Sequence, residues 1–170
     1  KRNDVIAGKN AVVEAIKSGR PVDSVYIQKG SEGSMGKVIA MAKKAGVPIK
    51  DTTVQKLDSL TDGVNHQGVA AIVASHSFAE MQDIFDKAGD EPVFILIADS
   101  IEDPHNLGAI IRTAEAAGVH GLIIPKRHGV SLTATVAKTS AGAIEYMPVV
   151  RVANLVSTVK ELKKQGVWVY

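Results

Sequence analysis

The chain has 170 residues, of which 45% are hydrophobic and 22% are charged, as expected for one compact globular domain or two small ones. No apolar run approaches the roughly 20 residues that span a bilayer, and no signal-peptide pattern opens the chain. The absence of cysteine excludes disulfides, thiolate metal sites and cysteine nucleophiles. A cytoplasmic protein without a membrane partner therefore fits best. The net charge of +2 divides into +4 for residues 1–75 and −2 for residues 76–170, which favours a polyanionic partner on the first half.

Helices and strands alternate along the first half, a pattern typical of a small α/β layer structure. Asn10 is suited to cap a helix that ends before Gly19, and Thr53 is suited to cap a second one. The predicted elements are a helix over 11–18, a strand over 25–28, a flexible loop over 29–36, a helix over 37–45, a strand over 47–50, a helix through residue 60 and a strand over 68–74. The polar stretch at 75–77 marks the predicted boundary between domains 1–75 and 76–170.

The second half predicts a mostly parallel sheet covered by helices. Residues 92–98 form a continuous apolar run of strand length, which is typical of burial on both faces. The other predicted elements are helices over 78–88, 107–117, 132–143 and 155–165, and strands over 121–124, 146–152 and 167–170. Because a domain rarely ends on a central strand, we expect further sequence after Tyr170.

The polar segment from Asp99 to Asn106 follows the strongest strand at its carboxyl end, where open α/β sheets place ligands. Asn106 lies where an N-cap belongs, and the free N–H groups beyond it favour anions. At 100° per residue Gly108, Arg112 and Glu115 share one flank, so Arg112 can reach back and meet a phosphate near Asn106, in space that Gly108 leaves open. Spacing alone equally allows Asn106 to be a plain cap and Arg112–Glu115 an exposed ion pair.

The sequence Asn-Leu-Gly-Ala-Ile-Ile-Arg-Thr-Ala at 106–114, followed by Ala117-Gly118, closely resembles the first motif of the SpoU (TrmH-like) family of RNA 2′-O-ribose methyltransferases. Residues 103–105 and 140–143 also match, and residues 8–12 and 66–69 resemble the family's small RNA-binding domain, a fold shared with some ribosomal proteins. The resemblance implies an RNA substrate-binding domain over 1–75 and the amino-terminal part of a SPOUT-type (α/β knot) methyltransferase domain over 76–170. It is nearest to the bacterial 23S rRNA guanosine-2′-O-methyltransferases.

The same resemblance implies S-adenosylmethionine as methyl donor and a homodimer formed through the methyltransferase domain. The family's other two motifs would follow Tyr170, so no residue here is assigned to the donor, and this segment alone is predicted to be inactive. By the resemblance Arg112 is the catalytic residue, and Asn106 orients the ribose or the arginine. Since arginine does not readily lose its proton, we favour bidentate binding of the adjacent phosphate over a role as base. Glu115 is a candidate to hold the guanidinium.

Basic residues of both halves are candidates for RNA contacts, with the solvated face of a helix as the alternative. The candidates for RNA binding are Lys9, Arg20, Lys37, Lys43, Lys44, His105, Lys126 and Arg127, to which Lys17 and His128 are added by position. The glycine pattern at 30, 33 and 36 fits neither the dinucleotide-binding nor the P-loop spacing, which favours a surface loop. The acidic residues at 99, 102 and 103, together with His105, are interpreted as caps and turn formers, and no metal is expected.

Three other functions stay open at this point. A tRNA could replace rRNA as the methylated substrate, and a non-catalytic relative could bind RNA with the same fold. A regulatory α/β domain that binds a small molecule would have no affinity for RNA, so a salt-dependent gel shift separates it from the other two.

Overall fold

A computed structural model of the chain describes residues 4–127 and 129–170, which form two compact units divided between Ser75 and His76. His128, which the sequence analysis grouped with Lys126 and Arg127, lies outside the described residues. None of the helices in the described residues is both long enough and apolar enough to be a membrane span.

The first unit is a mixed sheet with helices on both faces. Its elements are β1 (Val5–Ala7), α1 (Lys9–Lys17), β2 (Val22–Gln28), α2 (Gly36–Lys44), β3 (Ile49–Thr52), α3 (Val54–Thr61) and β4 (Val69–Val73). The strand order is β1-β4-β2-β3, with β2 and β3 parallel and the other pairs antiparallel. Because β1 pairs with β4 from the far end of the unit, this three-residue strand was not predicted from the sequence.

Alternation along the strands divides the first unit into two layers. Val25 and Ile27 of β2 pack with buried residues of α1 and α2, and Val69 and Ala71 of β4 join the same cluster. Ala70 points to the opposite face, where α3 contacts β1, β2 and β4. Helices α1 and α2 therefore cover one face of the sheet and α3 covers the other.

Local hydrogen bonds revise two predictions for the first unit. Helix α1 begins at Lys9 with Gly8 as its N-cap, so Asn10 lies inside the first turn and the N-cap prediction for it was wrong. Gly19 does adopt the left-handed conformation that was expected after this helix (φ 72°). The loop over 29–36 contains a local anchor, because the N–H groups of Glu32 itself and of Gly30 donate to the Glu32 carboxylate and hold its pKa below the usual range.

The second unit confirms the predicted α/β class with a parallel sheet. Its elements are α4 (Met81–Ala88), β5 (Ile95–Ile97), α5 (Pro104–Ala116), β6 (Gly121–Pro125), α6 (Ala134–Thr139), β7 (Val149–Val152) and α7 (Leu155–Lys164). The strand order is β5-β6-β7, all parallel. Every residue of β6 is buried, as expected for a central strand covered on both faces.

The side chains of β6 point alternately into two cores. Leu122 and Ile124 pack with α5 and α6, whereas Ile123 packs with α4 and α7. The two helical layers therefore lie on opposite faces of the sheet, with α5 and its candidate residues on one side.

Three predictions for the second unit were wrong in detail. Strand β5 spans only three half-buried residues, because it pairs with β6 alone and leaves its other edge open in the described residues. The helix predicted over 132–143 ends at Thr139, since Ala141 and Gly142 take left-handed conformations (φ 51° and 85°). Residues 167–170 are not a strand, since they pair with none of the strands in the described residues.

Candidate functional site

The amino end of α5 is capped by Asp103. Its carboxylate accepts a hydrogen bond from the N–H of His105 at 2.8 Å, and Pro104 occupies the first helical position, where no N–H is needed. Asn106 is consequently the third residue of the helix, and the prediction that it is the N-cap was wrong. Its side chain is exposed and makes no hydrogen bond with any described residue, so it remains available at this helix end.

Arg112 lines an open depression on the outer side of α5. The depression has a volume of about 540 Å³ and is formed by the last part of α5 and by the turn that leads from α6 towards β7. Its lining residues are Arg112, Glu115 and Ala116 of α5, Ser140 to Ala143, Glu145 and Tyr146. The arginine of the first motif and the segment 140–143, both singled out from the sequence, are thus brought together.

Both carboxylates of the depression contact side chains that lie outside its lining. Lys87 Nζ donates to Glu115 Oε2 at 2.7 Å, and His76 Nε2 lies 2.6 Å from Glu145 Oε1. Arg112 is exposed and forms neither an ion pair nor a hydrogen bond with the residues that the structure describes. The expected pairing of Arg112 with Glu115 is therefore absent, and the suggestion that Glu115 holds the guanidinium was wrong.

Gly108 serves helix packing rather than ligand access. A Cβ at this position would lie 1.8 Å from Thr139 Oγ1 and 3.0 Å from the Ser140 nitrogen, so α6 occupies the space that was expected to be open. The Thr139 hydroxyl is itself held by the Thr135 carbonyl at 2.8 Å. This close approach of the two helices positions the turn that begins at Ser140 beside Arg112.

Arg112 lies farther from the amino end of α5 than the sequence analysis expected. It follows Pro104 by eight residues, or about 12 Å along the helix axis. Asn106 is not part of the depression and lies about 120° away around the helix, whereas His105, seven residues before Arg112, shares its flank. The lining residue Tyr146 immediately precedes the turn into β7, so the depression lies towards the amino ends of the strands.

Sequence reasoning missed three residues around this depression. Lys87 and His76 bind its carboxylates from 28 and 69 residues away along the chain, distances that no spacing pattern would reveal. Tyr146, which was interpreted only as part of a strand, is 72% exposed and offers a flat ring beside the arginine.

Positive charge in the first unit is concentrated on the layer formed by α1 and α2. Residues 9–20 and 36–46 carry six Lys or Arg and one Glu, a net charge of +5, whereas the other described residues of the unit carry three Lys and six Asp or Glu, a net charge of −3. All basic residues of this unit that were named as RNA contacts belong to this layer, namely Lys9, Lys17, Arg20, Lys37, Lys43 and Lys44. One face of the unit is therefore a basic surface.

The two short motifs of the first unit meet at one end of its sheet. Gln67 Oε1 accepts a hydrogen bond from the N–H of Lys9 at 3.1 Å, and the N–H of Gly8 donates to the carbonyl of Val69 at 3.1 Å. Gln67 has a left-handed conformation (φ 51°), which turns its amide towards α1. Segments 8–12 and 66–69 thus form a single local structure.

The remaining candidates of the second unit stand apart from the depression. Lys126 and Arg127 are exposed and follow β6 at its carboxyl end. Among the described residues no group of three or more His, Cys, Asp or Glu is placed to hold a metal ion. Asp103, which was interpreted as a cap or turn former, is the N-cap of α5.

Comparison with known proteins assigns a family to both units. Residues 93–170 match the SpoU rRNA Methylase family, and residues 5–79 match a family described as RNA 2′-O ribose methyltransferase substrate binding. A Bacillus subtilis protein, YacO, whose name places it among TrmH family tRNA/rRNA methyltransferases, is 47% identical over 99% of this chain and 68% of its own length. A Staphylococcus aureus protein with a name of the same family is 45% identical over 97% of this chain and 67% of its own length.

A solved structure of the same kind is also similar. The SpoU methyltransferase AviRb from Streptomyces viridochromogenes, determined in complex with the cofactor AdoMet, is 18% identical with a TM-score of 0.46, and the match covers 95% of this chain and 58% of that one. This chain thus spans less than two thirds of the solved structure. Both of its units match domains of RNA methyltransferases. The chain belongs to the SpoU (TrmH-like) family.

Proposed function

We propose that the chain recognises RNA and supplies the catalytic arginine of an enzyme that methylates a ribose 2′-hydroxyl, with a guanosine of 23S rRNA as substrate. Residues 1–75 act as the RNA substrate-binding domain and residues 76–170 as the amino-terminal part of the methyltransferase domain. The observation that carries the proposal is the exposed guanidinium of Arg112, which has no partner among the described residues and lies in a depression whose two carboxylates contact other side chains.

The charge pattern of the depression suits a phosphate. With Glu115 paired with Lys87 and Glu145 in contact with His76, the guanidinium is the cation among the described lining residues that is left to meet a ligand. A guanidinium presents a planar fork of N–H donors that matches two oxygens of one phosphate. Arg112 therefore grips the RNA backbone, and the phosphate or a polarised water takes the proton of the adjacent 2′-hydroxyl. Asn106, which lies outside the depression and about 120° around α5 from Arg112, is proposed to orient the ribose from the amino end of the helix.

The described residues do not by themselves fit the methyl donor. S-adenosylmethionine transfers its methyl group from a positively charged sulfonium, and the guanidinium of Arg112 in this depression would repel such a group. We propose that residues other than those that the structure describes form the donor pocket, so the described residues alone are inactive and activity belongs to the complete gene product. A homodimer formed through the methyltransferase domain is part of the same proposal.

The basic surface formed by α1 and α2 binds the RNA backbone in a sequence-independent way. Each phosphate contact adds about 0.7–0.9 to the slope of log affinity against log salt concentration. Lys126, Arg127 and His105 add contacts in the second unit. The exposed ring of Tyr146 can stack on an unpaired base beside the target ribose.

The proposal is tested by incubating the complete gene product with methyl-labelled S-adenosylmethionine and deproteinised 23S rRNA or tRNA. After digestion, mass spectrometry of the nucleosides should find 2′-O-methylguanosine from 23S rRNA. Label found only in tRNA would identify tRNA rather than 23S rRNA as the substrate. A folded product that binds RNA in a salt-dependent way but transfers no label to either RNA would identify a non-catalytic RNA-binding relative.

A further inference from the structure

Lys87 links the two helical layers of the second unit past the amino ends of its strands. It lies near the end of α4, on the face opposite α5. Its ammonium group donates to Glu115 Oε2 at 2.7 Å, to the Tyr146 carbonyl at 2.9 Å and to the Val119 carbonyl at 3.4 Å. These three acceptors use all three N–H donors of the lysine, so the group is fully bound in one place.

Glu115 is the carboxylate best placed to block Arg112. The two residues are three positions apart on α5, a spacing at which acidic and basic side chains on a helix readily pair, and both line the same depression. A guanidinium that is paired with a carboxylate has fewer donors left for an RNA phosphate. In the structure this competition does not arise, because Lys87 holds the carboxylate on its other side.

We propose that Lys87 is a positioning residue that keeps Glu115 away from Arg112 and so leaves the guanidinium free for RNA. The inference rests on the proposed function of Arg112. The same lysine also holds the carbonyls of Tyr146 and Val119, so its loss loosens the turn into β7 as well. A useful test must separate these two effects.

Substitution of both Lys87 and Glu115 separates the effect on Arg112 from the effect on the turn into β7. In the complete gene product, Lys87→Met should raise the KM for RNA about two- to fivefold, the range of an exposed ion pair, with a smaller change in kcat. Glu115→Gln alone should not raise KM, because it removes only the carboxylate that competes for Arg112. The double variant Lys87→Met/Glu115→Gln should recover wild-type KM, because no carboxylate is left to pair with Arg112.

If Lys87 acts only by holding the two carbonyls, the double variant does not recover the wild-type KM. The carbonyls of Tyr146 and Val119 lose their donor in the double variant just as in Lys87→Met, so KM would stay raised if those contacts were the cause. Lys160→Met is the matched control, since it removes an exposed lysine of α7 and should leave KM unchanged. If Lys87→Met does not fold, Lys87→Gln keeps N–H donors for the carbonyls and is expected to show the same rise and the same recovery.

Arg112→Ala distinguishes failure of this inference from failure of the proposed function. If Arg112→Ala turns over like the wild type, the role assigned to Arg112 is wrong, and so is the inference about Lys87. If Arg112→Ala is inactive but Glu115→Gln does not restore KM to either Lys87 variant, only the role of Lys87 is overturned. Recovery of KM in the double variant, with an inactive Arg112→Ala, supports both.

Discussion

Replacement of Gly108 by alanine should destabilise the second unit, although alanine normally favours a helix over glycine. The added Cβ would lie 1.8 Å from Thr139 Oγ1 and 2.7 Å from Thr139 Cβ, whereas carbon atoms in contact are normally about 3.5–4.0 Å apart. Rotation of the threonine relieves only the first overlap, so α5 and α6 must separate by roughly 1 Å.

The expected loss of stability in Gly108→Ala is the difference between two effects. Overpacking of a buried contact costs about 1–3 kcal/mol, and the better helix propensity of alanine returns up to about 1 kcal/mol. We therefore expect Gly108→Ala to lower the free energy of unfolding of the second unit by about 1–2 kcal/mol. Gly36→Ala is the matched control, because a Cβ at this helical glycine would meet nothing within 4 Å and should be neutral or stabilising.

Native-state hydrogen exchange followed by mass spectrometry measures this effect for each unit separately. Peptides of the second unit should lose protection in Gly108→Ala, and peptides of the first unit should serve as an internal reference. Adding Thr139→Ala removes the nearest atom and should restore part of the stability. Unchanged or increased protection of the second unit in Gly108→Ala would refute the close packing described for Gly108.

Three further predictions concern the helix cap, the basic surface and the anchored loop. Asp103→Ala should lower the stability of the second unit by about 1 kcal/mol through loss of the α5 N-cap, whereas Asn106→Ala should change it by less than about 0.5 kcal/mol. In salt titrations of RNA binding, the slope should fall by about 2–3 in the triple alanine variant of Lys37, Lys43 and Lys44, and Lys56→Ala on α3 should leave it unchanged. The carboxylate of Glu32 should titrate below its usual range in an NMR pH titration, so its anchoring of the loop is present at neutral pH and is lost only as the pH falls through that lowered pKa.

Each of these three has a contradicting outcome. Equal losses of stability in Asp103→Ala and Asn106→Ala would mean that α5 is not capped by Asp103. An unchanged salt slope in the triple variant would mean that RNA does not bind to the α1–α2 layer. A Glu32 titration at or above its ordinary pH would contradict its hydrogen bonds to the backbone.

The parts of the fold that the sequence predicted well depend on local signals. The fully buried β6 comes from a short apolar run between turn residues, and α3 comes from Thr53, whose hydroxyl accepts from the N–H of Lys56. Gly19 and Gly118 end their helices because each adopts a left-handed conformation that suits glycine. Such features need only a few neighbouring residues to be recognised.

The parts that were missed depend on contacts between distant segments. Strand β1 has three residues and exists through its pairing with β4, and Lys87 reaches Glu115 from the opposite face of the sheet. The start of α5 was misplaced for a different reason. Asp103 and Pro104 are a strong N-cap and first-turn pair, but the helix was predicted to begin at Leu107, which made Asn106 the N-cap. The family motif still identified Arg112, whose surroundings only the structure could supply.

The role of Arg112 is tested most directly by Arg112→Ala in the complete gene product, with methyl transfer to 23S rRNA and RNA affinity measured on the same preparation. Loss of a group that positions the reacting phosphate should lower the transfer rate by about 100- to 1000-fold. RNA affinity should fall by no more than about fivefold, the range of one exposed ion pair, since the α1–α2 surface supplies most phosphate contacts. Wild-type turnover in this variant would contradict the account.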